Sequence, residues 1–395
     1  MQQSRTILHS GGPVTRWSRY TYILGDPVDE IQGTLADLPS LGNEPADEDA
    51  PPFTGGWVGH ISYDAGRALE PDKLTAAPPD DLGIPHIHFT RHTDLLVHDR
   101  LQDRWTTIGA PRLEPGLFTS VNRAEPRQTF ARARFESSVQ RVIDYIAAGD
   151  IFQANLSQRF SIPWREPPHV LFERLIERNP AWYGALLDRG DYALVSNSPE
   201  LYLQLDPTGR VVTRPIKGTR PAGTDPDELL ASAKDAAELN MIVDLERNDL
   251  GRVCELGSVR VSEPRHIEDH GNVLHGVATI EGKLRDDATL ADVIAATFPG
   301  GSITGAPKVR AMQILDELEP VQRGPYCGAI GFISDTGHAT FNIAIRTIVL
   351  AGYGEEAWAH VNVGGGIVAD SDPADEYEET LVKARAMFDA LGFEI

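Results

Sequence analysis

Up to about residue 125 the apolar residues come in short runs, Tyr20–Leu24, His86–Thr90 and Asp94–His98 among them, separated by Pro, Gly and Asp clusters. Such runs predict strands joined by turns. From Gln128 onward a helical period sets in. Phe135, Val139, Val142, Ile143 and Ile146 mark one face of a helix over 130–148, and Gly149-Asp150 stops it. Beyond it the pattern predicts a strand at 192–196, two strands at 201–205 and 210–213 joined by a turn, and a long helix over 227–248. Helices follow over 290–298 and 307–318, then strands over 328–334, 339–350 and 357–363, and a last helix over 373–391. This order lacks the regular alternation of a doubly wound sheet, so the expected class is α+β. The change of rhythm divides the chain into a β-rich segment, 1–125, and a larger unit, 126–395.

Composition narrows the partners. The 395 residues carry 36 Lys+Arg against 58 Asp+Glu, a formal net charge of −22, which argues against nucleic acid or an anionic membrane as partner. An anionic substrate would need positive charge concentrated locally. Cys254 and Cys327 are the two cysteines, too few for a disulfide framework, and the opening residues lack a secretion-signal core. No apolar run approaches the roughly 20 residues of a membrane span. The expected compartment is the cytoplasm.

Several residues carry candidate chemistry. Thr213-Arg214-Pro215-Ile216-Lys217-Gly218-Thr219-Arg220 places one lysine in a turn just past a strand, where it is either a surface residue or, if desolvated, a nucleophile or base. Asp235 with Glu238, and Glu376 with Glu379, are spaced by three on two helices, so each pair shares a face. Each is a solvated surface or half of a site for magnesium, which takes hard oxygen ligands. The run Pro299–Lys308 leads glycine-rich into a helix and suits a bound carboxylate or a plain tight turn; it lacks the Gly-Lys of a nucleotide-binding loop. Arg346, in an apolar strand-like segment, needs a carboxylate partner, from a ligand or from the protein. Gly364-Gly365-Gly366 lets a ligand approach the backbone. His275 follows a strand, and Glu200 heads one.

With these residues in view, the chain resembles the chorismate-utilising enzymes, the family of anthranilate synthase component I and aminodeoxychorismate synthase component I. The matching runs are Gly149–Phe160, Ser198-Pro199-Glu200, Arg214–Thr219, Met241–Arg252, Phe298–Met312, Ile343–Thr347 and Gly364–Ser371, with Phe53–Gly59 nearer the start. They span roughly 130–395 in family order. The resemblance implies two large, mostly antiparallel β-sheets packed as a sandwich with helices outside. Position 217 sorts the branches: alanine is typical of anthranilate synthases, lysine of aminodeoxychorismate synthases. Gln153 stands where isochorismate and salicylate synthases carry a lysine base, which argues against those.

The resemblance also implies roles. Glu238 and Glu379 would ligate Mg2+, with Asp235 and Glu376 supporting them. Gln153, Ser302, Tyr326, Arg346, Gly365, Gly366 and Lys383 would bind chorismate. Lys217, Glu200 and His275 would be catalytic: Lys217 would attack C2 as the C4 hydroxyl leaves, Glu200 would protonate that hydroxyl, and ammonia would then add at C4 and expel the lysine from C2. The product would be 4-amino-4-deoxychorismate, the precursor of 4-aminobenzoate and folate. The alternative is anthranilate synthase component I, of tryptophan biosynthesis. No glutaminase motif is present, so ammonia is expected from a separate glutamine amidotransferase subunit. The chain departs from the family in His275-Gly276-Val277-Ala278, where His-Leu-Val-Ser is usual.

Overall fold

The computed structural model describes residues 5–45, 49–111, 127–352 and 357–393. The boundary expected near residue 125 lies outside them. An 11-stranded and a 10-stranded sheet form the body of the molecule. The first runs in the order Gly305–Ala306, Gln153–Pro163, Trp358–Ile367, Thr347–Ala351, Tyr192–Ser198, Tyr183–Asp188, Thr6–His9, Tyr20–Leu24, Leu95–Asp99 and Arg104–Ile108. The second runs Ile216–Pro221, Val273–Lys283, Arg210–Arg214, Leu201–Leu205, Ala339–Ile343, Ala329–Ser334, Gly56–Ile61, Ile87–His92 and Asp29–Gly33; off these paths Arg127–Gln128 pairs with Gln153–Pro163 in the first sheet and Arg260–Asp269 with Val273–Lys283 in the second. Strands from the first hundred or so residues thus close one edge of each sheet. The strands bearing the candidate chemistry lie toward the other.

The sheets face each other across a shared core. Val58, Ile330 and Phe332 of one interdigitate with Leu95, Leu187, Leu194 and Val349 of the other. Helices cover the outer faces. Pro168–Arg178 and Pro373–Leu391 pack Leu171, Phe172, Met387 and Phe388 against Phe160, Val195 and Val361. Ala233–Gly251 and Leu290–Thr297 pack Leu239, Val243, Val293 and Ile294 against Val211 and Ile280. The α+β sandwich expected from the sequence is the observed fold.

Three local readings differ. The helix expected over 227–248 is two, Pro226–Ala231 and Ala233–Gly251, because Ser232 takes an extended backbone and its hydroxyl caps Asp235 N–H. The strand expected over 339–350 breaks into Ala339–Ile343 and Thr347–Ala351, with Arg346 between them at φ 49°. Gln153–Pro163 is a long strand, second from its sheet's edge, that periodicity missed, since Gln153, Asn155, Ser157, Gln158 and Arg159 are all buried and no polar–apolar alternation survives.

The N-terminal strands carry an acid-sensitive core. Burial pulls His60 down to about 3, and His88 and His92 to about 4, from the ordinary 6.5. A group whose folded value is depressed binds protons first in the unfolded chain. Stability is therefore lost as pH falls below 6.5 toward 4, by about 1.4 kcal/mol per pH unit for each histidine. Thermal unfolding should drop steeply across that window; a melting temperature constant from pH 7 to pH 4.5 would contradict this.

Candidate active site

Lys217 owes its position to a register shift. Ile216 pairs with Val277, but Thr219 pairs with His275, so Lys217-Gly218 forms a bulge carrying one extra residue. Gly218 sits at φ 82°, and a Cβ there would come within 2.9 Å of Asp235 Cγ and Leu229 Cδ1. Lys217 is therefore inside a third strand rather than past the second, and the bulge re-aims its side chain into the interior. Gly218→Ala should destabilise the fold by about 1–3 kcal/mol and lower turnover, because both the conformation and the space are denied to it. Unchanged melting and turnover would rule out this role for the bulge.

The amine arrives in a buried centre. Lys217 Nζ lies 3.5 Å from the Ser302 carbonyl oxygen and 3.4 Å from where a Gly366 Cβ would stand. Burial pulls the ammonium below the usual lysine range, opposed by the charges of Glu238, Glu200 and Glu379 and reinforced by Lys383. Glu200, 4% exposed, accepts a hydrogen bond from Ile216 N–H at 3.4 Å. Burial raises its carboxyl, while Ser302, Lys217 and Arg346 pull the other way. The Ser302 hydroxyl lies near Glu200 but has no partner of bonding geometry.

Arg346 faces this centre from the strand break. Its positive φ is uncommon for a residue with a side chain, and such conformations gather at functional sites. Burial lowers its guanidinium to about 10, opposed by Glu200, and no salt bridge joins it to another described residue. Tyr326 is buried with the Arg323 guanidinium 6.0 Å from its ring, and the next residue, Cys327, donates its N–H to Ala344 O at 3.0 Å. Gln153 is buried with its Oε1 unpartnered, and a Cβ on Gly366 would collide with its amide. His275, 1% exposed, shares a hydrogen bond of 2.9 Å between its Nδ1 and Thr219 Oγ1. Burial, then Arg346 and His270, hold it well below 6.5, so it is a neutral imidazole.

Strand alternation turns Gly365 the other way, toward the helix Pro373–Leu391. A Cβ there would stand 3.0 Å from Glu376 Oε2 and 3.8 Å from Glu379 Oε1. Glu376 is raised by burial, against a 2.6 Å hydrogen bond from Ser371 Oγ; Glu238 is raised by burial too, with Asp235 and Glu379 adding negative charge. Glu379 is lowered by Lys383, which it pairs with at 2.6 Å, and Lys383 also donates to Gly364 O at 3.0 Å. Asp235 is tied to Arg220 at 3.1 Å. Among the described residues no group of three or more His, Cys, Asp or Glu stands ready to hold a metal ion.

Sequence reasoning passed over Lys234, whose charge acts on Glu238, Glu376 and Glu379, and over Trp182 and His270, stacked 4.0 Å apart behind His275. It also left Glu246 without a role. A signal for Glu246 existed: it falls on the helix stripe of Leu239, Ile242, Val243 and Leu250, where a carboxylate is out of place.

At one end of the facing antiparallel sheets a half-buried lysine and arginine stand with a buried glutamate, a centre suited to a small anion. The chain belongs to the chorismate binding enzymes, whose family model matches residues 17–389. It is 42% identical over 370 residues to the anthranilate synthase component 1 of Thermus thermophilus, covering 87% of this chain and 79% of that one. It is 38% identical over 399 residues to the aminodeoxychorismate synthase component 1 of Bacillus subtilis, covering 93% and 82%. The crystal structure of anthranilate synthase component I from Streptococcus pneumoniae superposes with a TM-score of 0.82 at 31% identity, over 95% of this chain and 93% of that one. Among the described residues no helix is long and apolar enough to cross a membrane.

Proposed function

We propose that the chain is component I of an aminodeoxychorismate synthase, converting chorismate and ammonia to 4-amino-4-deoxychorismate in the cytoplasm. The observation that carries this reading is the desolvated amine of Lys217, set between Gly366, Ser302 and Glu200. Arg346 offers a positive face for the enolpyruvyl carboxylate of the substrate, with Tyr326 as a further contact to it. Lys217 forms a bond to C2 while the C4 hydroxyl departs, taking a proton from Glu200 and leaving as water. Ammonia then bonds to C4 and the C2–nitrogen bond breaks, returning Lys217 to its amine. Covalent capture divides one difficult substitution into two easier ones. Gln153, Ser302, Gly365, Gly366 and Lys383 orient the ring, and neutral His275 stands behind Lys217 without taking its proton.

The carboxylates suit a hard divalent cation: they are oxygen donors from two helices, and Glu238 and Glu376 are pushed up in part by neighbouring negative charge. Glu238 and Glu379, with Asp235 and Glu376 supporting them, would hold magnesium, which would supply positive charge for the ring carboxylate. The amidotransferase subunit that would release ammonia is a separate chain; ammonium salt replaces it in the test. The purified protein should consume chorismate with ammonium and magnesium salts, cease on addition of EDTA, and resume with excess magnesium. Consumption indifferent to EDTA would remove the metal, and none under any condition would sink the reading.

A second reading, anthranilate synthase component I, is favoured by the names of the Thermus and Streptococcus relatives. It uses the same substrate and the same carboxylates but gives Lys217 no covalent role.

A further inference from the structure

One carboxyl beneath the reaction centre has no part in this chemistry. Glu246, on the helix Ala233–Gly251, is 7% exposed, and its Oε2 accepts a hydrogen bond from Thr213 Oγ1 at 2.9 Å. A Cβ on Gly301 would stand 3.5 Å from Glu246 Cγ. Ser302, the next residue, turns its carbonyl to Lys217 Nζ at 3.5 Å. The turn Gly301–Ile303 is thus a single layer of backbone between Glu246 and the reactive amine. A cavity of about 10 Å³, room for about one water, opens beside Glu246 and is lined also by Tyr202, Thr213, Asp249 and Thr297.

The charges around Glu246 leave it without a counter-ion. Asp249 faces it from its own helix, Glu200 from the head of the strand Leu201–Leu205, and Lys308 from the helix Lys308–Leu318. Lys308 is already held by Asp249 Oδ2 at 2.7 Å and Thr297 O at 2.8 Å, and the Tyr202 hydroxyl bonds Thr297 Oγ1 at 2.6 Å. No salt bridge to Glu246 exists among the described residues. Burial first, then the charge of Glu200, push its carboxyl up to about 8. A carboxylate formed here would have one hydroxyl donor and no cation. It would also hold the proton more tightly on Lys217 and on Glu200, the two groups whose protons must move.

We infer that Glu246 is a positioning residue that supports the Gly301–Ile303 turn in its neutral form, and that its ionisation switches the chorismate site off. This rests on the assignment of that site made above.

The test compares the full chain with Glu246→Gln, which keeps the shape and cannot ionise. Chorismate consumption with magnesium and ammonium salts is followed across pH, so the identity of the product does not enter. The ratio of variant to wild-type rate should rise roughly tenfold between about pH 6.5 and about pH 9.5, the effect of one buried charge at short range. Thr213→Val, which removes the hydroxyl donor, should move the wild-type decline to higher pH. A ratio constant with pH overturns the inference. If neither protein consumes chorismate, the site assignment has failed, and unfolding decides the matter. A folded value raised above the unfolded one gives stability that is present below about pH 4.5 and lost as pH rises through about 8. The advantage of Glu246→Gln over the wild type should therefore grow across that window, and an advantage that does not change there overturns the inference as well.

Discussion

Lys217→Ala should abolish aminodeoxychorismate formation, by on the order of 10³-fold or more, while chorismate still binds. The amine is the one nucleophile aimed between Ser302 and Gly366, and burial favours its uncharged, reactive form. Binding depends on other groups. Arg346 has no salt bridge among the described residues, and Gly365 and Gly366 leave the backbone open to a ligand. Truncation at 217 removes a charge and a reactive atom but leaves those contacts. Product formation should collapse while calorimetry still detects chorismate. Full activity in the variant would exclude a covalent lysine step.

Glu200→Gln should lower turnover by about 10²–10⁴-fold, the range for loss of a general acid. Burial raises the Glu200 carboxyl, so its acid form persists nearer neutrality than an exposed glutamate's. Glutamine keeps the shape and can still accept the Ile216 N–H, yet has no acidic proton for the departing hydroxyl. The wild-type rate should fall as pH rises through the ionisation of Glu200, and this limb should vanish in the variant. A variant rate within fivefold of wild type would assign the proton to another group.

The sequence made the helices legible where one face is apolar. Expected helices over 130–148, 307–318 and 373–391 became Arg132–Ala147, Lys308–Leu318 and Pro373–Leu391. It was silent where burial is two-sided and polar. Gln153–Pro163 buries its polar residues against polar partners, Ser157 on Glu319, Gln158 on Thr380 and Arg159 on Asp81, so period-2 alternation is absent. Lys217, Glu200 and Arg346 could be singled out as residues, but the devices that aim them could not. A one-residue bulge at Lys217-Gly218 and a left-handed Arg346 are decided by pairing with strands far along the chain. The opposite facing of Gly365 and Gly366 became visible only once their strand was paired. The carboxylates were found in pairs, yet their separate ties, Asp235 to Arg220 and Glu379 to Lys383, come from tertiary packing and a helical neighbour.

The central claim is the identity of the product. The purified chain, given chorismate, magnesium and ammonium salt, should yield a non-fluorescent compound with the mass of 4-amino-4-deoxychorismate. Fluorescent anthranilate in its place would contradict the account and move the chain to the tryptophan branch.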